Sequence, residues 1–157
     1  MGNSDSSSQG EIKLIDLGFN SSYLTSDGKH IEEHLKYSKG NMAFTSGHKM
    51  IGVVPSRRDD FISLVYILLY MVTGSLKFLS INIKAAKFDE ISYKKHIATA
   101  NTLCSNKKCS HFYEFVKEVL SIKFEDEPNY ESLKLKLKKI VTDQGQQFDQ
   151  IFDWNKK

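Results

Sequence analysis

Residues 61–73, Phe61-Ile-Ser-Leu-Val-Tyr-Ile-Leu-Leu-Tyr-Met-Val-Thr73, form the densest apolar run in the chain, with no polar stripe at helical spacing. Ser56 and Asp59 just upstream have capping-box spacing, and Asp59 and Asp60 suit the positive end of a helix dipole, so the helix is predicted to start at Arg57. Thirteen such residues are too few to span a bilayer, which takes about 20. The pattern therefore predicts a core helix over 57–73 buried on all sides. Burial of its nine aliphatic and Phe side chains would be worth roughly 1.5–3 kcal/mol each.

Three weaker amphipathic patterns follow. Lys84, Lys87, Lys94 and Lys95 alternate with Phe88 and Ile91, which predicts a helix from about Lys84 to Ile97. Phe112, Phe115, Val116, Val119 and Leu120 lie on one helical face behind Ser110 as the expected cap. Pro128 and Asn129 open a helix with Tyr130, Leu133, Leu137, Ile140 and Val141 inward, and Asp143-Gln-Gly145 closes it. Three aromatics between Phe148 and Trp154 are expected to dock back on the body. Toward the start, Glu11–Asp16 alternates like a short strand halted at Asp16-Leu17-Gly18. Residues 19–55 lose periodicity, and so long an irregular stretch in a compact domain signals a functional or mobile segment. Residues 1–10, rich in Ser and Gly, read as a disordered tail. No internal repeat is visible.

Composition narrows this picture only modestly. With 40% apolar residues among 157, one globular domain is expected. Twenty-two basic against 19 acidic residues is too small a surplus to indicate nucleic acid or an acidic membrane. Lys134, Lys136, Lys138 and Lys139 follow Glu125, Asp126, Glu127 and Glu131, which favours a solvated helix face over a nucleic-acid site. Cys104, Cys109 and His111 superficially suggest a metal site but lack a fourth ligand at normal spacing; a pair of free thiols is the simpler reading. Two cysteines and no secretory pattern imply an intracellular setting, cytoplasmic or nuclear. Met1-Gly2 with Ser6 fits N-myristoylation at Gly2, and with it weak membrane contact; a chance match in a Ser-rich tail is the alternative.

Several segments together resemble the casein kinase 1 family of protein kinases. Ile12-Lys-Leu-Ile-Asp16-Leu-Gly18 resembles the strand and Asp-Phe-Gly segment that begins the activation loop. Gly40–Ser46 aligns without gaps to that family's Gly-Thr-Ala-Arg-Tyr-Ala-Ser, and Ser56-Arg-Arg-Asp-Asp60 resembles the opening of its helix F, with Gly74-Ser-Leu76 as the turn after it. Phe124-Glu-Asp-Glu-Pro128-Asn-Tyr130, Gln144-Gly145 and Phe152-Asp-Trp-Asn155 follow in the family's order. The likeness covers residues 11–155. It implies a mainly α fold, the lower part of a protein kinase large lobe, lacking the small lobe and catalytic loop. The partial kinase-like domain would span 11–157, with an activation segment at 16–56, the core helix at 57–73 and C-terminal helices over 84–155.

By this resemblance the family activity is serine/threonine phosphotransfer from ATP, yet most of the machinery is absent. Phosphoryl transfer needs a cover over the phosphates, a Lys to hold them, oxygen ligands for magnesium and an Asp to orient the hydroxyl. No Gly-x-Gly-x-x-Gly occurs, no Val-Ala-x-Lys strand precedes the Asp, and only ten residues precede Glu11. No catalytic residue is assigned. The resemblance makes Asp16 the magnesium-chelating carboxylate and Asp16 with Gly18 the remnant of a cofactor site; an Asp that caps a turn is the alternative. One carboxylate does not hold magnesium tightly, so ATP and Mg are expected to bind only if a small lobe completes the site. Lys84 aligns with a basic member of the family's anion pocket, or is a solvated helix-face lysine. Ala43 stands where the family carries another Arg of that pocket, Asn41 replaces its loop Thr, Val65 replaces a helix F glycine, and Asp60 resembles the helix F Asp that anchors the catalytic loop. The chain is thus expected to be inactive alone: a pseudokinase module that engages a protein partner through helices 84–97 and 111–120, or one part of an active kinase whose other half lies elsewhere. A gene remnant that folds only marginally is a third expectation, because without the missing elements one side of residues 61–73 would be uncovered.

Overall fold

In the computed structural model, which describes residues 12–36, 41–75 and 88–147, the longest helix grows from the expected capping box. Asp59 Oδ2 accepts the Ser56 backbone N–H at 2.9 Å, which fixes the first turn of α2 (Arg57–Thr73). Gly74 ends it in the left-handed region at φ 69°, where a side chain would be strained, and its N–H closes on the Tyr70 carbonyl at 2.7 Å. Ile62, Val65, Tyr66 and Leu69 form the inward stripe. The helix is not buried all round. Ile67, Tyr70 and Met71 keep 39%, 42% and 69% of their surface exposed, because the helices that pack on α2 gather on its other side. Val65 lies on the packed side and is buried.

That other side is built from the C-terminal half. The helices are α3 (Phe88–His96), α4 (Ala100–Leu103), a 3-10 helix (Lys107–Phe112), α5 (Tyr113–Ser121) and α6 (Tyr130–Asp143). Leu103, Cys109, Phe115, Val116, Val119 and Leu133 meet the α2 stripe in one apolar core. Residues 84–87 of the helix expected over 84–97, and with them Lys84, lie outside the described residues. Ser110 does not cap α5. The preceding 3-10 turn takes that place, with Asn106 Oδ1 accepting the Lys108 N–H at 2.9 Å, while Ser110 Oγ donates back to the Lys107 carbonyl. α6 starts as expected, with Asn129 Oδ1 accepting the Ser132 N–H at 2.9 Å, and Gly145 turns the chain away at φ 71°. Cys104 and Cys109 are both free and buried; burial, reinforced by the neighbouring Cys109, pushes the Cys104 thiol up to about 11. These are inert core thiols at neutral pH.

The expected strand at 11–16 does not form. Residues 12–16 adopt no regular structure, with Ile12, Leu14 and Ile15 in solvent, before a 3-10 turn at Leu17–Phe19. A strand needs a neighbour to satisfy its backbone, and no strand is available here among the described residues. Residues 19–55 are irregular, as their pattern predicts. They are tied by two isolated bridges, Leu24 with His30 and Leu35 with Val53, and by the single turn of α1 (Gly47–Met50). Among the described residues no helix is long and apolar enough to cross a membrane. The aromatics at 148–154 lie outside the described residues.

Candidate functional site

The Ser-Arg-Arg-Asp-Asp run at the head of α2 is a polar hub whose members hold the irregular N-terminal half in place. The Arg58 guanidinium reaches Glu33 Oε1 at 2.7 Å and lies 5.3 Å from the centre of the Phe124 ring. Arg57 donates to the Glu125 carbonyl at 3.1 Å and covers the Tyr23 ring at 4.6 Å. Asp59, 3% exposed, accepts from the Ser56 N–H and from the buried Ser46 hydroxyl at 2.5 Å. The hub thus joins residues 23, 33, 46 and 124–125 to one helix end.

Ser46, His48 and Asp59 are the residue types of a nucleophilic triad, but their order is wrong for one. The serine donates to the carboxylate rather than to the imidazole, and His48 Nδ1 is 3.7 Å from that same carboxylate oxygen. Burial and the Arg58 charge hold His48 below its ordinary value against the pull of Asp59. A fully buried hydroxyl, closed off from any substrate and bonded to the carboxylate that caps α2, is a structural lock.

A second buried polar contact lay hidden in the sequence. Lys95, on the α3 face next to Ile91, is only 4% exposed, and its Nζ donates to the carbonyls of Met42 at 2.7 Å, Ala43 at 3.0 Å and Thr45 at 2.6 Å. The ammonium also lies 4.7 Å from the Tyr66 ring centre. It therefore ties residues 42–45 to both α3 and the core. The signal was present, since Lys95 lies one helical turn beyond the apolar Ile91, but the adjacent Lys94 made the pair look solvated.

Between the N-terminal half of α2 (residues 57–67) and residues 14–23 runs an open cleft of about 750 Å³. Asp16 and Asp60 both line it, with Lys49, Arg57 and Ser63 among its other polar walls and Leu64 and Ile67 on its apolar side. Asp60 is free of capping duty, which Asp59 performs; burial first, then the neighbouring Asp59 charge, push its carboxyl up against the pull of Lys49. Asp16 precedes the 3-10 turn with φ 58° and ψ 66°, and is the one non-glycine with positive φ among the described residues. Such backbone strain concentrates at functional positions. Gly18 packs against it: a Cβ there would sit 3.3 Å from Asp16 Oδ1.

Of the expected residues, Asp16 thus lines one cleft with Asp60, whereas Gly18 lines a separate pocket with Ile31, His34 and Lys36. Two cations, Lys49 and Arg57, share the cleft's walls with the two carboxylates, and no group of three or more His, Cys, Asp or Glu suited to a metal occurs among the described residues. No protein-family model matches the chain.

Proposed function

We propose that this chain is a degenerate casein kinase 1-like module, the lower part of a kinase large lobe, that binds a protein partner and does not transfer phosphate on its own. The observation that carries the reading is the α2 helix, a long apolar rod packed on one side and bare along Ile67, Tyr70 and Met71 on the other. A kinase-like core helix that has lost its covering loop would be left in this state, and an apolar stripe of this kind is a protein-binding feature. The order of the Ser-Arg-Arg-Asp-Asp, Phe-Glu-Asp-x-Pro and Phe-Asp-Trp-Asn segments supports the kinase resemblance. Helices 84–97 and 111–120 are weaker candidates for the contact surface, because Ile91 of α3 and Phe115, Val116 and Val119 of α5 are spent on the interior.

A second reading is favoured by the placement of Asp16. A strained carboxylate facing the same cleft as Asp60 suits one half of an active serine/threonine kinase, with ATP and magnesium bound once a small lobe and catalytic loop are supplied by another polypeptide. One assay separates the two. The purified chain should give no ATP-dependent thermal shift and no phosphate incorporation into casein, with or without a casein kinase 1 small-lobe fragment added in trans. Activity with the fragment favours the second reading, and activity without it overturns both.

A further inference from the structure

Next to the cleft, with Tyr130 lining both, a groove of about 500 Å³ opens between α2, the 3-10 helix that precedes α5, and α6. Phe61 and Leu68 form one wall, Phe112 the base, and Leu137, Ile140 and Val141 of α6 the other wall. Among the described residues its only charged lining groups are Lys134 and Lys138. Lys134 makes a loose, exposed pair with Glu131 at 3.7 Å, and Lys138 makes no ion pair among the described residues.

We infer that this groove is the seat of the chain's own C-terminal residues 148–157. Three facts single out that occupant. First, α6 ends at Asp143, and Gly145 reverses the chain at φ 71° with the Gln146 N–H bonded back to the Val141 carbonyl, so the chain leaves the helix beside the groove's Ile140–Val141 end. Second, ten residues follow Gln147, and at roughly 3.3 Å each they reach about 33 Å. That exceeds the length of α6, about 21 Å at 1.5 Å per residue. Third, the sequence Phe148-Asp-Gln-Ile-Phe-Asp-Trp154 interleaves four large apolar residues with two acids, which matches an apolar trough with lysines in its lining. A tethered segment also competes at high effective concentration against any free partner. The inference is independent of the kinase reading, since it uses only the groove and the segment beside it.

Trp154 is the single tryptophan of the chain, so its fluorescence reports the segment directly. In the full chain, emission should lie at shorter wavelength than that of a free peptide 148–157, with several-fold weaker acrylamide quenching, independent of protein concentration. Val141→Asp should return both to the free-peptide values while far-UV circular dichroism stays helical. If that variant fails to fold, the exposed Lys138→Glu provides the same reading: it should raise quenching, and adding Asp153→Lys should lower it again. Tryptophan emission at the free-peptide position in the wild type overturns the inference. So does protection that survives both Val141→Asp and Lys138→Glu, which would seat the segment elsewhere, or protection that grows with concentration, which would mean a second copy fills the groove.

Discussion

At Lys95 burial and hydrogen bonding pull an ammonium in opposite directions. Burial pushes the amine down to about 7, whereas the three carbonyls and the Tyr66 face all favour the charged form, and a neutral amine has only two N–H groups for three acceptors. The folded value therefore lies below the ordinary 10.5 for lysine. Between the two values the unfolded chain holds more protons than the folded one, so stability rises with pH from about 7 towards 10 and levels off below that window. Lys95→Met should remove this alkaline slope in urea titrations. At neutral pH it should also cost roughly 2–4 kcal/mol by stranding the carbonyls of Met42, Ala43 and Thr45. Gly47 is a second sensitive residue. A Cβ there would lie 2.8 Å from the His96 backbone nitrogen and 2.9 Å from the Lys95 carbonyl carbon. Gly47→Ala must push α1 off α3 and is expected to cost about 1–3 kcal/mol in the same urea measurement. Neither residue declared itself in the sequence, because a lysine beside a lysine and a glycine in an irregular stretch are both common on surfaces.

Helix ends were the most legible feature of the chain. The Ser56–Asp59 box, Gly74, Asn129 and Gly145 each act through a local hydrogen bond or a positive φ, so neighbours in sequence suffice to foresee them. Elements that need a distant partner were not legible. Glu11–Asp16 has the alternation of a strand, but its described residues 12–16 pair with no neighbour among the described residues, and Ser110 loses its capping role to a 3-10 turn set by the packing of Cys109 and Phe112. Between α5 and α6 the decisive contact is equally non-local: Lys136 Nζ meets Glu118 Oε2 at 2.5 Å, and Ser132 donates to the same oxygen at 2.9 Å. Burial pushes the Glu118 carboxyl up, but these hydrogen bonds and the Lys136 charge outweigh it and hold it below 4.5. The depressed value adds stability above pH 4.5 that is lost as pH falls through the folded value. Glu118→Gln should flatten that acid limb of the melting curve and cost about 1 kcal/mol at neutral pH.

For the whole molecule, the apolar run at 61–73 forms a core helix as its composition predicts, but it is covered on one side and not on every side. Periodicity cannot separate those cases, because a helix that buries one apolar face and presents another to a partner has the same composition as one buried all round. The cleft that joins Asp16 to Asp60 was beyond sequence reasoning for a similar reason. It exists only because residues 14–23 lie along the N-terminal half of α2, and that placement depends on Arg57 and Arg58 gripping Tyr23 and Glu33. The account holds that the stripe is surface in the isolated chain and awaits a protein partner. The most direct test is Ile67→Glu combined with Met71→Lys, followed by thermal melting and sedimentation. The variant should keep or raise the melting temperature, lose any self-association and lose binding of an apolar dye. A fall in stability of more than about 3 kcal/mol, the size expected when buried side chains are made polar, would place these residues in the core and contradict the account.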